Sequence, residues 1–306
     1  MKPVIVLGIF AADTTYRAAR LPKPGETILG EGFTLGPGGK GSNQAVACAR
    51  AGAQTHFITR LGRDAFGEMA QRLWEDVGVF NRATMASEGA TGASFIFVDH
   101  ESGDNAIIVC PGVGATISPE DVEAEADVIR NASVFLTQLE QPLDAALRGL
   151  QIARDAGVIT VLNPAPAAPL DDAMLALVDF LTPNETEAEA LTGLPVTSLT
   201  EAEAAGHALL ARGAGTVVLT LSAGGALHVD RNGATHIPAF NAGPVAETTG
   251  AGDAFNGALA AALGSGMTGM EAARFGCAAG AIAVTRPGAA QSMPTRREIE
   301  ALLARA

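Results

Sequence analysis

An α/β fold is what this sequence predicts: a mostly parallel central sheet with helices on both faces, plus a small separate β layer. Three observations predict it. Strand-like and helical runs alternate from about residue 118 onward, and strands that alternate with helices pair in parallel beneath them. Two stretches, 14–36 and 91–111, break that rhythm with short strand-like runs of their own. Of the 306 residues 48% are hydrophobic and only 17% charged, enough for a large core and too apolar for a disordered chain.

In chain order, Val4–Leu7 reads as a buried strand closed by Gly8, with Asp13 shortly after. The 14–36 stretch carries Pro22, Pro24, Gly25, Gly30, Gly32 and Gly36, with strand-like Thr27–Leu29 and Phe33–Leu35 between them. A glycine-rich segment, Gly36-Pro-Gly-Gly-Lys-Gly-Ser-Asn-Gln-Ala, then opens a helix that Gly52 ends. Strand 55–59 and helix 64–77 follow. Ala93–Asp99 and Asn105–Val109 read as a hairpin joined through Glu-Ser-Gly-Asp. Beyond it come helix 119–130, strand 133–137, helix 142–156, strand 158–162, a helix near 171–178 and strand 179–182. Helices 185–192 and 200–212 precede strands 216–220, 225–229 and 234–237, and helices 253–264, 269–285 and 295–305 end the chain. The core is thus expected from 1–13, 37–91 and 112–306, and the β layer from 14–36 and 92–111.

The net charge of −13 argues against a nucleic-acid partner, because such binders carry basic patches. Cys48, Cys110 and Cys277 are far apart and form no CxxC or Cys/His cluster, so neither zinc nor a disulfide framework is indicated. Reduced thiols, a short N-terminal apolar run and the lack of a spanning run point to a cytoplasmic protein with no membrane partner.

Ligands of such sheets bind beyond the carboxyl ends of the strands, where Asp13, Glu140, Asn163, Asn184, Glu187 and Ser222 fall. The strongest stretch is 245–263, where Gly250 and Gly252 precede Asp253 and a helix-forming run. The first N–H groups of a helix lack partners and hold anions. A carboxylate at such a place repels a phosphate, unless it takes a proton from an alcohol during phosphoryl transfer. The plainer reading makes Asp253 a helix cap. Gly36–Gly41 matches G-x-G-x-x-G, but Arg60, not an acid, follows the next strand, so a dinucleotide site is not supported. Lys40 is followed by Gly41, so the Walker pattern fails as well. Asn184-Glu-Thr-Glu187 is either a capping box or a pair beside a hydrated magnesium ion. Asn163-Pro-Ala-Pro-Ala reads at least as well as a rigid strand exit. The five histidines are scattered and form no Ser/His/Asp set.

Together, Gly38–Ala45, Gln138-Leu-Glu140, Asn163–Ala167, Thr182–Glu189 and Thr248–Gly257 resemble the ribokinase-like family of sugar kinases, in family order and across nearly the whole chain. The resemblance implies an α/β core with a β lid often shared in a homodimer. It also implies transfer of the ATP γ-phosphoryl group to a primary alcohol, with ribose the leading substrate. Another pentose, a ketohexose, a nucleoside or a non-catalytic binding role are the alternatives. It casts Asp253 as base and Gly250, Ala251 and Gly252 as an anion hole. Asp13, Gly39, Lys40, Asn43 and Glu140 become sugar contacts, and Asn184, Thr220, Ser222, Gly225, Gly252 and Cys277 ATP contacts. Glu187 organises Mg2+, while Glu247, Thr249, Ala283, Arg286, Gly288 and Ser292 hold K+. Three positions depart from the family pattern. Ala11 replaces a sugar-contacting Asn, Ser222 replaces a Gly, and Glu247 replaces an Asp.

Overall fold

The computed structural model describes residues 2–101 and 104–305. The chain opens with β1 (Val4–Leu7), then leaves the core for β2 (Ala11–Ala18) and β3 (Gly32–Gly38). It returns through α1 (Lys40–Arg50), β4 (Thr55–Leu61), α2 (Ala65–Val77) and β5 (Phe80–Met85). β6 (Thr91–Asp99) and β7 (Asn105–Gly112) complete the outlying layer. Then follow α3 (Pro119–Ala124), α4 (Ala126–Arg130), β8 (Val134–Thr137), α5 (Leu143–Asp155), β9 (Ile159–Leu162), α6 (Asp172–Leu175) and β10 (Phe180–Leu181). α7 (Glu185–Thr192), α8 (Leu199–Ala211) and β11 (Thr216–Thr220) lead to the antiparallel pair β12 (Ala226–Asp230) and β13 (Gly233–Ile237). α9 (Ala251–Gly264), α10 (Gly269–Ala283) and α11 (Arg296–Leu303) end the chain.

The main sheet has nine strands in the order β13-β12-β11-β10-β9-β8-β1-β4-β5, parallel from β11 to β5. Both faces are buried, which is why β1 is apolar at every position. Val4 and Val6 pack with α1, α9 and α10, while Ile5 and Leu7 pack with α5 and α8 on the other side. The strand order reverses between β1 and β8, and a crevice at such a reversal is where open parallel sheets bind ligands.

The second sheet runs β3-β2-β6-β7, with β2 and β6 parallel and the other pairs antiparallel. Its register puts Asp13, Ser94 and Gly36 on one face, and Tyr16, Phe33, Phe95, Leu35 and Ile108 on the other. β2 starts earlier than the irregular 14–36 stretch implied, so Asp13 lies within a strand. Thr27–Leu29 belongs to no strand. Of the expected Glu-Ser-Gly-Asp turn, residues 102 and 103 lie outside the described residues. The helix expected over 119–130 is two helices that meet at Glu125. No helix among the described residues is long and apolar enough to cross a membrane.

Candidate active site

Gly250 is the N-cap of α9 in the left-handed conformation (φ 81°), which glycine adopts without penalty. The Ala251 N–H turns back to Thr248 O (3.2 Å), so Ala251 does not serve the expected anion hole. Among the described residues, the N–H groups of Gly250, Gly252 and Asp253 have no such partner and are left for an anion.

Asp253 sits in the first turn of α9 and is 7% exposed. It does not cap its own helix. Asn43 Nδ2 donates to its Oδ2 and Gln44 Nε2 to its Oδ1, each at 3.0 Å. Gly257, one turn along, makes this possible. A Cβ there would lie 2.4 Å from Gln44 O and 2.8 Å from Cys48 N, so only a glycine lets α9 lie this close to α1.

The sugar-side residues converge on this carboxylate. Lys40 opens α1, and its N–H donates to Glu140 Oε2 (2.8 Å) from the segment after β8. Burial alone would depress the Lys40 ammonium. The attraction of Asp253, Glu140 and Glu187 outweighs it and raises the pKa. Burial lifts Glu140 to about 7 against the opposing pull of Lys40, with Asp253 and Asp13 adding to the rise. Asp13 rises to about 6, first through burial, opposed by a Ser94 hydrogen bond and reinforced by Asp253 and Glu247. Asn43 Oδ1 is buried with no protein partner, a free acceptor beside Asp253. Gly39, at the N-cap of α1, has φ 83° and packs against Ala11 N and Ile9 O.

On the opposite side of the crevice, Asn184 and Glu187 form the capping box of α7. Asn184 N and Nδ2 donate to Glu187 Oε2 and Oε1 at 2.9 and 3.1 Å. Burial raises the Glu187 pKa, and the same carboxylate feels Lys40 and Asp253, so the cap is also part of the site. The capping-box reading of this motif therefore holds. With both oxygens occupied by its own cap, Glu187 suits a metal reached through water.

Asn184 and Thr220 join in a parallel bridge, which brings α7 and the end of β11 together. Ser222 then adopts φ 49°, the one positive φ at a residue other than glycine among the described residues. Gly225 follows at φ 92° against Ile237 O. Cys277, partly buried on α10, has a thiol that burial pushes up to about 12, so it offers a neutral surface. α10 packs on β12 and β13, the strands that follow this turn.

The segment before α9 is laced to the 283–292 segment. Ala246 N and Glu247 N donate to Val284 O, and Gly288 N donates to a Glu247 carboxylate oxygen at 2.9 Å. Arg286 pairs with Glu298, so it does not neutralise Glu247. Ala283 O accepts from Arg286 N (3.1 Å), and buried Ser292 turns its hydroxyl to Ala289 O. Glu247 thus ties the loop before α9 to this segment through both its backbone N–H and its carboxylate.

Asn163 stood out at the end of its strand, whereas Gln44 carried no readable signal of its own. Gln44 and Asn163 belong to the polar core of the site, since Gln44 Nε2 also donates to Asn163 Oδ1 (3.0 Å). The Gln44 partners Gln138, Asn163 and Asp253 lie 94, 119 and 209 residues away in sequence, and local pattern does not reach that far.

A family model described as pfkB family carbohydrate kinase matches residues 1–296. A ribokinase of Haemophilus influenzae is 40% identical over 298 residues, covering 97% of each chain. A deoxyribokinase of Salmonella typhi is 35% identical over 260 residues, 84% of each chain. Arabidopsis thaliana ribokinase complexed with ribose and ATP superposes with a TM-score of 0.90 at 32% identity, covering 99% of this chain and 98% of that one.

Proposed function

The chain belongs to the pfkB family of carbohydrate kinases, and from that premise we propose that it transfers the γ-phosphoryl group of ATP to the primary hydroxyl of ribose. One observation carries the reading: a buried carboxylate, Asp253, is held at the place where unpartnered helix N–H groups converge. The hydroxyl proton passes to Asp253 as the sugar oxygen bonds to the γ-phosphorus. The bond from that phosphorus to the bridging oxygen breaks, and ADP leaves. The N–H groups of Gly250, Gly252 and Asp253 take up the charge on the phosphoryl oxygens. Asp13, Lys40, Asn43 and Glu140 orient the sugar, and the outlying sheet acts as a lid that keeps water from competing as acceptor.

Magnesium, when bound with the nucleotide, screens the phosphate charge. Glu187 would reach it through water, held ready by Asn184. Glu247 and the carbonyls of Thr249, Ala283, Arg286, Gly288 and Ser292 would hold potassium. Held there, the ion would not touch substrate and would stiffen the loop that presents the anion hole. The outer lid face is assigned to a second copy of the chain. Tyr16, Phe33, Leu35, Phe95 and Ile108 share it and are each at least 36% exposed, a patch that needs cover. A cytoplasmic location, where ATP is available, completes the reading.

A specific observation supports one variant. Ala11 is fully buried and shares the inner face of β2 with Asp13. A methyl group there does not reward a sugar hydroxyl as an amide would. 2-Deoxyribose is therefore the second acceptor to test. The experiment couples ADP release to a panel of ribose, 2-deoxyribose, arabinose, fructose and nucleosides. Ribose should give the highest kcat/KM. A nucleoside or ketohexose at the head of the ranking would overturn the assignment, and no ADP from any acceptor would leave a binding protein.

A further inference from the structure

Gln44 is fully buried, and both N–H groups and the oxygen of its amide have protein partners. Its Nε2 donates to Asp253 Oδ1 and to Asn163 Oδ1, both at 3.0 Å, and its Oε1 accepts from Gln138 Nε2 at 2.6 Å. The neighbours leave it one orientation. Asn163 Nδ2 donates to Thr182 O (3.1 Å), so Asn163 can turn only its oxygen toward Gln44. A carboxylate on the other side accepts and never donates. The circuit then closes on α9. Thr182 Oγ1 donates to Asn256 Oδ1 (2.5 Å), and Asn256 Nδ2 donates to Gly252 O (2.8 Å). A continuous chain of hydrogen bonds thus runs from the base, through α1 and the ends of β9 and β10, back to the peptide of the anion-hole glycine.

The two amides on Asp253 have different situations. Asn43 donates to Oδ2 and keeps its own carbonyl oxygen buried with no partner, a group left over for substrate. Gln44 donates to Oδ1, and its other N–H and its oxygen are each already bonded to protein. An aspartate carboxylate turns easily about its last torsion, which is broad and two-fold. A base whose plane is not held loses the alignment on which in-line transfer depends.

We propose that Gln44 is a positioning residue for the proposed base. It locks Oδ1 of Asp253 against the protein wall, so that Oδ2, beside Asn43, receives the proton of the sugar hydroxyl. This rests on the reading of Asp253 as base, and the test keeps the two apart. Gln44 touches neither sugar nor nucleotide in this scheme. The charged groups that act on Asp253 are Lys40 of α1, Asp13 of β2, Glu140 beyond β8 and Glu187 of α7. All are present in the unmodified enzyme, so a pH comparison between variants isolates position 44.

Two substitutions make the test, each compared with Asp253→Asn. Gln44→Met keeps the length of the side chain and removes its hydrogen bonds. The expected result is a kcat lower by about 10- to 100-fold, with KM for sugar and the ADP dissociation constant within about threefold. Gln44→Glu puts a second carboxylate against Asp253. Such a pair holds one proton between them. The acidic limb of the kcat–pH profile should therefore move up by about one unit or more, with activity recovering in alkaline buffer. A merely structural amide predicts otherwise: lower Tm, unchanged kcat per folded molecule and an unmoved limb. That outcome overturns the proposal, as does a loss confined to KM. If neither variant folds, Asn163→Ala and Gln138→Ala serve instead. Each removes one of the partners that fix the Gln44 amide, so that its bond to Asp253 is no longer held in a single orientation. A fall in kcat at constant KM supports the proposal, and wild-type kcat in both overturns it. If Asp253→Asn itself turns over normally, it is the reading of Asp253 as base that fails.

Discussion

The Gly288 N–H and the Glu247 carboxylate meet at 2.9 Å, closing the 283–292 segment onto the strand of chain that leads into the anion hole. The methylene that distinguishes Glu247 from aspartate is absorbed by this bond, and Arg286 is occupied with Glu298. Arg286 therefore does not neutralise the Glu247 carboxylate. Activity should rise in potassium relative to tetramethylammonium at equal ionic strength, with sodium between them. Glu247→Gln keeps an acceptor for Gly288 and loses the charge, so half-activation should need several-fold more potassium. Equal rates in all three salts would remove the cation from the scheme.

Asp253→Asn should lower kcat by about 10²–10⁴-fold, the usual cost of a lost general base. ADP affinity should stay near normal. A stability cost of about 1–3 kcal/mol should accompany it, because the new NH2 must face an amide donor from Asn43 or Gln44 and leave it unpaired. Steady-state kinetics, calorimetric ADP binding and urea melts check the three parts.

Ser222 occupies a left-handed backbone position that costs an L-residue about 1–2 kcal/mol. Ser222→Gly removes the strain and adds back some unfolded-state entropy. A net gain of about 0.5–1 kcal/mol is expected, read from the urea midpoint. A loss of stability would show that the serine hydroxyl makes a compensating bond.

Glu140 is lifted to about 7 in the folded chain, above its ordinary 4.5. Between those two values the folded state binds more protons than the unfolded one. Stability must then fall as pH rises from about 4.5 through about 7, and level off above. Asp13, lifted to about 6, acts in the same direction over a lower window. Glu140→Gln should flatten the slope of the sugar-free protein and make it the more stable form at pH 8. Parallel pH–stability curves for the two proteins would refute this.

Phe33→Glu places a charge on edge strand β3 of the outer lid patch, beside Tyr16 at a ring separation of 5.1 Å. Sedimentation should show the wild-type chain as a dimer and this variant as a monomer. A wild-type monomer at micromolar concentration would defeat the assignment of that face.

Much of the scaffold was legible because it depends on local pattern. The apolar run of β1, the Gly250–Gly252 turn and the Asn184 cap are each complete within a few residues. β5 was not, since Phe80-Asn-Arg-Ala-Thr-Met is half polar, as an edge strand can be. β2 was misplaced because Asp13–Arg17 mixes polar and aromatic residues, one face serving the crevice and the other the lid surface. In the site, Asp253, Lys40 and Glu140 stood out through neighbouring glycines and charge. Gln44 did not, because its meaning lies in Asp253, which is 209 positions away.

β2 also has a consequence for control. It carries Asp13 on the face toward the crevice and Tyr16 on the face toward solvent, three residues or about 10 Å apart on one rigid ladder. No linker separates the two. With sugar at Asp13 and a second copy on Tyr16, as proposed, the two would load the same beam from opposite sides, and any coupling free energy between them would act equally on both. Diluting the protein until copies part should therefore loosen its hold on sugar. Saturating it with sugar should draw copies together, so that occupancy and assembly are two readings of a single equilibrium.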